Sequence, residues 1–133
     1  MISSDEILLD DDTFLVSETD ERGIIKFASD DFCKIAEYEV NELIGKPHNI
    51  VRHPDMPKAA FKDLWDTVKR GEIWSGFVKN RSKSGKTYWV YATVYPYKDN
   101  DGQKGYLSCR TKVASRDEIQ KYDALYKQMR EQE

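Results

Sequence analysis

The fold is decided by one stretch, Pro47-His48-Asn49-Ile50-Val51-Arg52-His53-Pro54-Asp55-Met56-Pro57. It holds three prolines, both histidines of the chain, an arginine and an aspartate within eleven residues. Because each proline fixes φ and removes a backbone donor, the stretch is predicted to be an ordered loop, neither a regular helix nor a central strand. A stiff polar loop beside tryptophans indicates a cleft for a planar ligand with polar edges.

The segment before this loop is predicted to open with a hairpin. Strands at 14–17 and 24–28 flank the turn residues 19–23, and Ser29 or Asp30 provides an N-cap for the helix that follows. A further short turn of helix is predicted over 39–45, ending at a glycine. The fold therefore begins with two strands followed by short helices.

The segment after the loop changes from a helical to an alternating period. Apolar residues at i, i+3, i+4 and i+7 predict a helix over 58–71. Aromatic and β-branched runs predict strands at 74–80, 87–95 and 104–111, joined by hairpin turns. Because no strand-helix-strand crossover repeats, the predicted class is α+β: a five-stranded antiparallel sheet with short helices on one face.

The chain ends in a predicted exit helix. Ser115 and Glu118 fit a capping box, and Ile119, Tyr122 and Tyr126 recur at helical spacing. This stripe packs either on the chain's own sheet or on another copy, and the pattern does not distinguish the two. The expected organisation is an acidic N-terminal segment at 1–12, a sensor domain at 13–114 and a C-terminal linker helix at 115–133.

Composition and charge exclude several classes of protein. The net charge is −3. Residues 1–12 carry five acidic side chains and no basic ones, so the remainder is nearly neutral and offers little attraction for the phosphates of nucleic acid. Cys33 and Cys109 stand far apart, which is typical of a reducing compartment. With neither a signal sequence nor a spanning segment, a cytoplasmic location is expected.

Catalytic and metal-binding patterns are missing from the sequence. No nucleophile elbow, HExxH motif or phosphate-binding glycine loop occurs, so an enzyme is not expected. His48 and His53 lack the further ligands that a metal site needs, so no metal is expected. One axial histidine is enough for haem, which stays open as an alternative.

Two residues in the strand that follows the loop are candidates for contact with a flat ligand. Trp74 precedes Ser75 and Gly76, where little side-chain bulk lets a planar ring approach and stack on the indole. The Asn80 carboxamide carries donors and an acceptor, which suits a ring edge that has both. Most other aromatic residues are interpreted as core.

Three segments carry a resemblance to a known family. PHNIVRHPDMPKAAFKDLW (47–65), GEIWSGFVKNRSKSGKTYWV (71–90) and GYLSCRTK (105–112) closely resemble the PAS domains of bacterial aerotaxis receptors, over about residues 11–118. The resemblance implies a PAS fold and a sensor domain that binds FAD non-covalently and reports redox state. It implies a role in FAD binding or signalling for Arg52, His53, Asp55, Phe61, Trp74 and Asn80.

One position departs from the family pattern. Aerotaxis receptors have an asparagine where this chain has Ser29, which keeps a hydrogen-bonding group but has a shorter reach. Ser29 is therefore a further candidate in the FAD site. The cofactor expected from the resemblance remains FAD.

The resemblance also implies partners. The expected partner is the downstream signalling region of the same receptor, with HAMP and methyl-accepting domains, and a homodimer is left open. Membrane attachment is expected only through regions outside these residues. The alternatives are a PAS domain that binds haem or another small aromatic ligand, and a ligand-free PAS dimerisation module.

Overall fold

The computed structural model describes residues 6–133, which form one sheet and a set of helices. The elements, in chain order, are β1 (Leu15–Asp20), β2 (Ile25–Ala28), α1 (Asp30–Ala36), α2 (Val40–Leu43), a 3₁₀ helix (His48–Val51), α3 (Lys58–Lys69), β3 (Trp74–Arg81), β4 (Thr87–Lys98), β5 (Lys104–Thr111) and α4 (Arg116–Glu131).

The five strands form a single antiparallel sheet in the order β2-β1-β5-β4-β3. β1 lies beside β5, so the first and last strands of the domain meet in the middle, with Ser17 opposite Ser108. β2 and β3 are the edge strands. The predicted α+β class and five-stranded antiparallel sheet are confirmed.

The two faces of the sheet are covered by different helices. Leu15, Ser17 and Thr19 alternate with more exposed residues along β1 and point to the inner face, because successive side chains of a strand lie on opposite sides. Helices α1 to α3 cover this inner face. α4 covers part of the outer face, where Tyr126 packs against Trp89. The exit helix thus packs on the chain's own sheet, which is one of the two arrangements that the sequence left open.

The proline-rich stretch contains one regular turn that the sequence analysis did not predict. Residues His48–Val51 form a 3₁₀ turn after Pro47, whose φ of −65° and ψ of 145° place it just before the helix. A proline is compatible with this position because it needs no backbone donor there. From Arg52 to Pro57 the chain is irregular, as predicted.

β4 is longer than predicted and runs through Pro96 to Lys98. β3 begins at Trp74, opposite Val94, so Pro96 lies beyond β3 where β4 has only β5 as a neighbour. A proline is tolerated at such a one-sided position because no ladder hydrogen bond is lost on the free side.

The acidic N-terminal segment packs onto the body from residue 6. Glu6 forms a bridge with Thr87 and an ion pair with Arg116 at 2.9 Å, and Leu9 is buried. Residues 1–5 of this predicted segment lie outside the described part of the chain. Within residues 6–133, no helix combines the length and the apolar character that crossing a membrane requires.

Candidate functional site

A cavity of about 270 Å³ lies between the inner face of the sheet and the helical layer. Val78, Ala92 and Val94 form its apolar floor on β3 and β4. The exposed residues among its lining, Arg22, Pro47 and Asn49, lie toward the solvent side. A cavity of this size, near the lower end of about 300–1,000 Å³ for ligand pockets, suits a flat ring system.

A buried arginine lies at the sheet wall of the cavity. Arg110 points inward from β5 and is 4% exposed. Its Nη2 lies 3.0 Å from Ser17 Oγ and 2.6 Å from His48 Nε2. Because a guanidinium can only donate, His48 Nε2 accepts this bond and the imidazole proton lies on Nδ1.

Burial lowers the pKa values of both His48 and Arg110 in this cluster. Burial, followed by the positive charge of Arg110, lowers the pKa of His48 from 6.5 to about 3. Burial lowers the pKa of Arg110 to about 10, so the guanidinium stays charged at neutral pH. Among residues 6–133 no carboxylate forms an ion pair with it. A buried cation of this kind favours a ligand that presents acceptor atoms.

A second arginine lines the cavity from the proline-rich loop. The Arg52 guanidinium lies 3.5 Å from the centre of the Phe61 ring on α3, which is a cation–π contact. The backbone of Arg52 pairs with Asn80 on β3, so the loop and the strand are joined at the cavity. Burial lowers the pKa of Arg52. These three predicted site residues all line the cavity.

Unpartnered polar atoms are concentrated in this cavity. In the described part of the chain, the buried side-chain atoms without a hydrogen-bond partner are Thr19 Oγ1, Arg52 Nε and Arg110 Nη1. All three residues line the cavity. Leaving such an atom unpaired costs about 1–3 kcal/mol, so a ligand that pairs with these groups is favoured.

Trp74 does not line the cavity, although it lies on the same face of β3. Its indole lies over Gly76, where a Cβ would come within 2.7 Å of the ring. Its Nε1 donates to Asp63 on α3 at 2.9 Å. In the structure the side chain joins β3 to α3, and stacking on a ligand stays a prediction.

The other predicted site residues lie outside the cavity lining. His53 Nδ1 accepts a bond from the backbone N–H of Asp55 at 3.0 Å. Burial, followed by the charge of Lys79, lowers the pKa of His53. Ser29 caps α1 by accepting from Phe32, and it also accepts from the backbone N–H of β1. Each of these side chains is engaged within the protein, and a role in ligand binding remains a prediction for each.

Arg110 and Thr19, which line the cavity with unpartnered atoms, were missed as candidates for ligand contact, whereas His48 was considered only as an axial ligand for haem. A signal for Arg110 was present, because Tyr106, Ser108 and Arg110 occupy alternate positions of β5, and a charged residue on a buried face is unusual. The sequence does not show which face of β5 points inward, because the register of β5 against β1 decides which face that is.

The described residues contain no cluster of three or more side chains suited to holding a metal ion.

Comparison with known proteins gives three findings. Residues 25–110 match the PAS fold family. The chain is 51% identical over 119 residues to the aerotaxis receptor of Escherichia coli, covering 90% of this chain and 23% of that receptor. It is 30% identical to the biofilm dispersion protein of Pseudomonas aeruginosa over 65% of this chain and 21% of that protein. The chain thus spans less than a quarter of these relatives.

Among solved structures, similarity extends to a light-oxygen-voltage domain described in a study with a flavin analogue. The TM-score is 0.68 with 24% identity, and the match covers 82% of each chain.

Proposed function

This chain belongs to the PAS fold family, and we propose that it is a sensor domain that binds FAD non-covalently and converts the redox state of FAD into a conformational signal. The observation that carries the proposal is the cavity whose lining contains the unpartnered atoms of Thr19, Arg52 and Arg110. Identity to an aerotaxis receptor and structural similarity to a domain studied with a flavin analogue support flavin over other flat ligands.

The residues present fit a flavin ring system. Arg52 and Arg110 have unpartnered donors, and a flavin presents carbonyl and ring-nitrogen acceptors. The Asn80 carboxamide lines the cavity from β3 and offers both donors and an acceptor. Phe61 supplies an aromatic surface. A volume of about 270 Å³ suits the ring system, so the adenine end of FAD has to extend beyond the cavity.

When bound, a flavin supplies reversible electron transfer that changes the charge and protonation of its ring. Arg110 holds a fixed positive charge at the sheet wall. His48 and Ser17 both accept from Nη2 of that guanidinium and so orient it, while Nη1 has no partner. When a buried donor loses or gains its acceptor, the free energy of that conformation changes by about 1–3 kcal/mol. A change of this size is enough to shift an equilibrium between two conformations.

Two observations favour FAD over haem and over a ligand-free dimerisation module. For haem, the only histidine that lines the cavity is His48, and its Nε2 already accepts from Arg110. A ligand-free dimerisation module is expected to have an interior filled by side chains, whereas this interior contains a cavity with unpaired donors. The proposal assigns no catalytic role to any residue.

The partners and the location are part of the proposal. Since the chain matches 23% of the aerotaxis receptor, the remaining length of a receptor of this kind would hold the signalling region, with HAMP and methyl-accepting domains. We place the PAS domain on the cytoplasmic side of such a receptor.

The proposal is tested by titrating the flavin-free protein with FAD and following flavin fluorescence. Arg110→Met and Arg52→Met each remove a donor to the ring, and each is expected to weaken binding about 10- to 100-fold, the equivalent of one hydrogen bond to a charged group. Arg70→Met is the matched control, because Arg70 is exposed on the surface and pairs with Glu72.

Unchanged affinity for FAD in both cavity variants would contradict the assignment of this cavity as the FAD site. Loss of affinity in the Arg70→Met control as well would show that the variants act through general damage to the fold.

A further inference from the structure

The loop from Arg52 to Pro57 runs along the free edge of β3. Arg52 pairs with Asn80, and the backbone N–H of His53 donates to the carbonyl of Lys79 at 3.3 Å. The backbone N–H of Lys79 lies 3.3 Å from the sulfur of Met56. The loop is therefore held against two consecutive residues of β3, Lys79 and Asn80.

These two residues of β3 face opposite sides of the sheet. Asn80 lines the cavity, whereas Lys79 points to the outer face, toward α4. One peptide unit thus joins Asn80, which lines the cavity, to Lys79 on the outer face. A movement of β3 at Asn80 therefore needs no other element to reach Lys79.

The Lys79 side chain joins the loop to the exit helix. Its Nζ lies 3.0 Å from Asp55 Oδ2 in the loop and 3.1 Å from Asp123 Oδ1 in α4. The Lys79 side chain is 13% exposed, and the aspartates are 45% and 51% exposed. We call Lys79, Asp55 and Asp123 the Lys79 ion cluster.

Apolar contacts hold α4 on the sheet independently of this cluster. Tyr122 lies 4.3 Å from Phe77 between ring centres, and Tyr126 stacks on Trp89 with an angle of 12° between planes. The Tyr126 hydroxyl donates to the carbonyl of Phe77 at 2.6 Å. Apolar packing therefore keeps α4 docked, and the ion cluster adds a connection to the loop.

The C-terminal end of α4 contacts the same region. Arg130 donates to the backbone carbonyl of Asp55. The Glu133 carboxylate accepts from the backbone N–H groups of Lys58 and Ala59 at the start of α3. Both ends of the segment from Asp55 to Ala59 are thus bonded to the last part of the chain.

We propose that Lys79 is the positioning residue through which the state of the cavity reaches α4. The Lys79 ion cluster transmits a shift of the loop and β3 to the position of Asp123, while α4 stays docked by its tyrosines. This inference rests on the proposed function, because it takes the redox state of FAD as the normal cause of the shift.

The test is hydrogen exchange of the α4 amides, with FAD added as the probe and then reduced chemically. In the unaltered protein the exchange rates of α4 are expected to change about two- to tenfold on reduction, since opening of a docked helix follows its local stability. Lys79→Met is expected to bind FAD and to lose this change. Asp123→Asn, at an exposed position, is expected to behave in the same way.

The control is Lys83→Met. Lys83 pairs with Glu42 at 2.6 Å and contacts neither the loop nor α4, so the redox-dependent change in exchange is expected to persist. A full response in both Lys79→Met and Asp123→Asn would overturn the inference.

Failure of the inference is distinguishable from failure of the proposed function. If FAD does not bind the unaltered protein, the proposed function fails, and the cavity is then perturbed by Asn80→Ala without any ligand. This substitution is expected to change α4 exchange in the unaltered background and to have no effect in the Lys79→Met background. Equal effects in the two backgrounds, or none in either, would sink the inference.

Discussion

The partly buried imidazole of His48 makes the stability of this domain depend on pH. The pKa of His48 is lowered to about 3 in the folded protein, first by burial and then by the charge of Arg110. In the unfolded chain the ordinary value of 6.5 applies. Between these two values the unfolded chain binds a proton that the folded protein does not bind, so lowering the pH destabilises the fold.

The magnitude follows from the two pKa values. Each pH unit in this interval costs about 1.4 kcal/mol, and a change from pH 7 to pH 5 lowers the free energy of unfolding by about 2 kcal/mol. The contribution of His48 is fully present above about pH 6.5 and is lost as the pH falls toward the folded pKa of about 3. Urea denaturation at a series of pH values measures the effect.

The control variant is His48→Gln, which keeps an acceptor for Arg110 and cannot titrate. His53 and all carboxylates titrate alike in both proteins, so the difference between the two pH profiles isolates His48. Parallel profiles for the two proteins would refute this explanation. An imidazole of His48 that protonates near pH 6 in a nuclear magnetic resonance titration would refute it as well.

Two further substitutions test the packing around the cavity. Gly23→Ala is expected to lower the free energy of unfolding by about 2 kcal/mol, because φ is +84° and the new Cβ would lie 3.1 Å from Trp65. The control Gly102→Ala, with φ of +81° and open space around the new Cβ, is expected to lower it by only about 1 kcal/mol. Equal losses of the two variants in thermal unfolding would contradict the Trp65 contact. Trp74→Phe removes the donor to Asp63 and is expected to lower the free energy of unfolding by about 1–2 kcal/mol; an unchanged free energy would contradict the role of this bond. The flavin spectrum of the same variant tests the predicted stacking, which a shifted flavin band would support.

The sequence predicted the elements well where local chemistry decides them. The strand at 104–111 was predicted with the bounds that the structure has, because its aromatic and β-branched run is bordered by a glycine-containing turn. Ser29 or Asp30 was predicted as the N-cap of α1 from residue type alone, and Ser29 is the residue that caps it. α3 ends two residues before the predicted boundary, at Lys69.

The site was predicted less completely, because its geometry depends on contacts between distant segments. Arg110 meets Ser17, 93 residues away, and only the pairing of β5 with β1 determines that both side chains point inward. The hydrogen bond from the Trp74 indole to Asp63 was not predicted, because it depends on how α3 lies over β3.

The proline-rich loop shows the same limit. Its polar residues were predicted to border a cleft for a planar ligand. Arg52 lines the cavity, but the chain then turns along the edge of β3, so Asp55 reaches Lys79 on the outer face. Residue types predicted an ordered polar loop, whereas the side to which each residue points depends on the position of the β3 edge.

The central claim, that the cavity holds a flavin, is tested most directly by the absorption spectrum of the freshly purified protein. If the cavity holds FAD, the spectrum shows flavin bands that stay with the protein through gel filtration, and FAD is found in the supernatant after denaturation. A Soret band would contradict it in favour of haem. A protein that shows neither band and takes up no added FAD would contradict it as well.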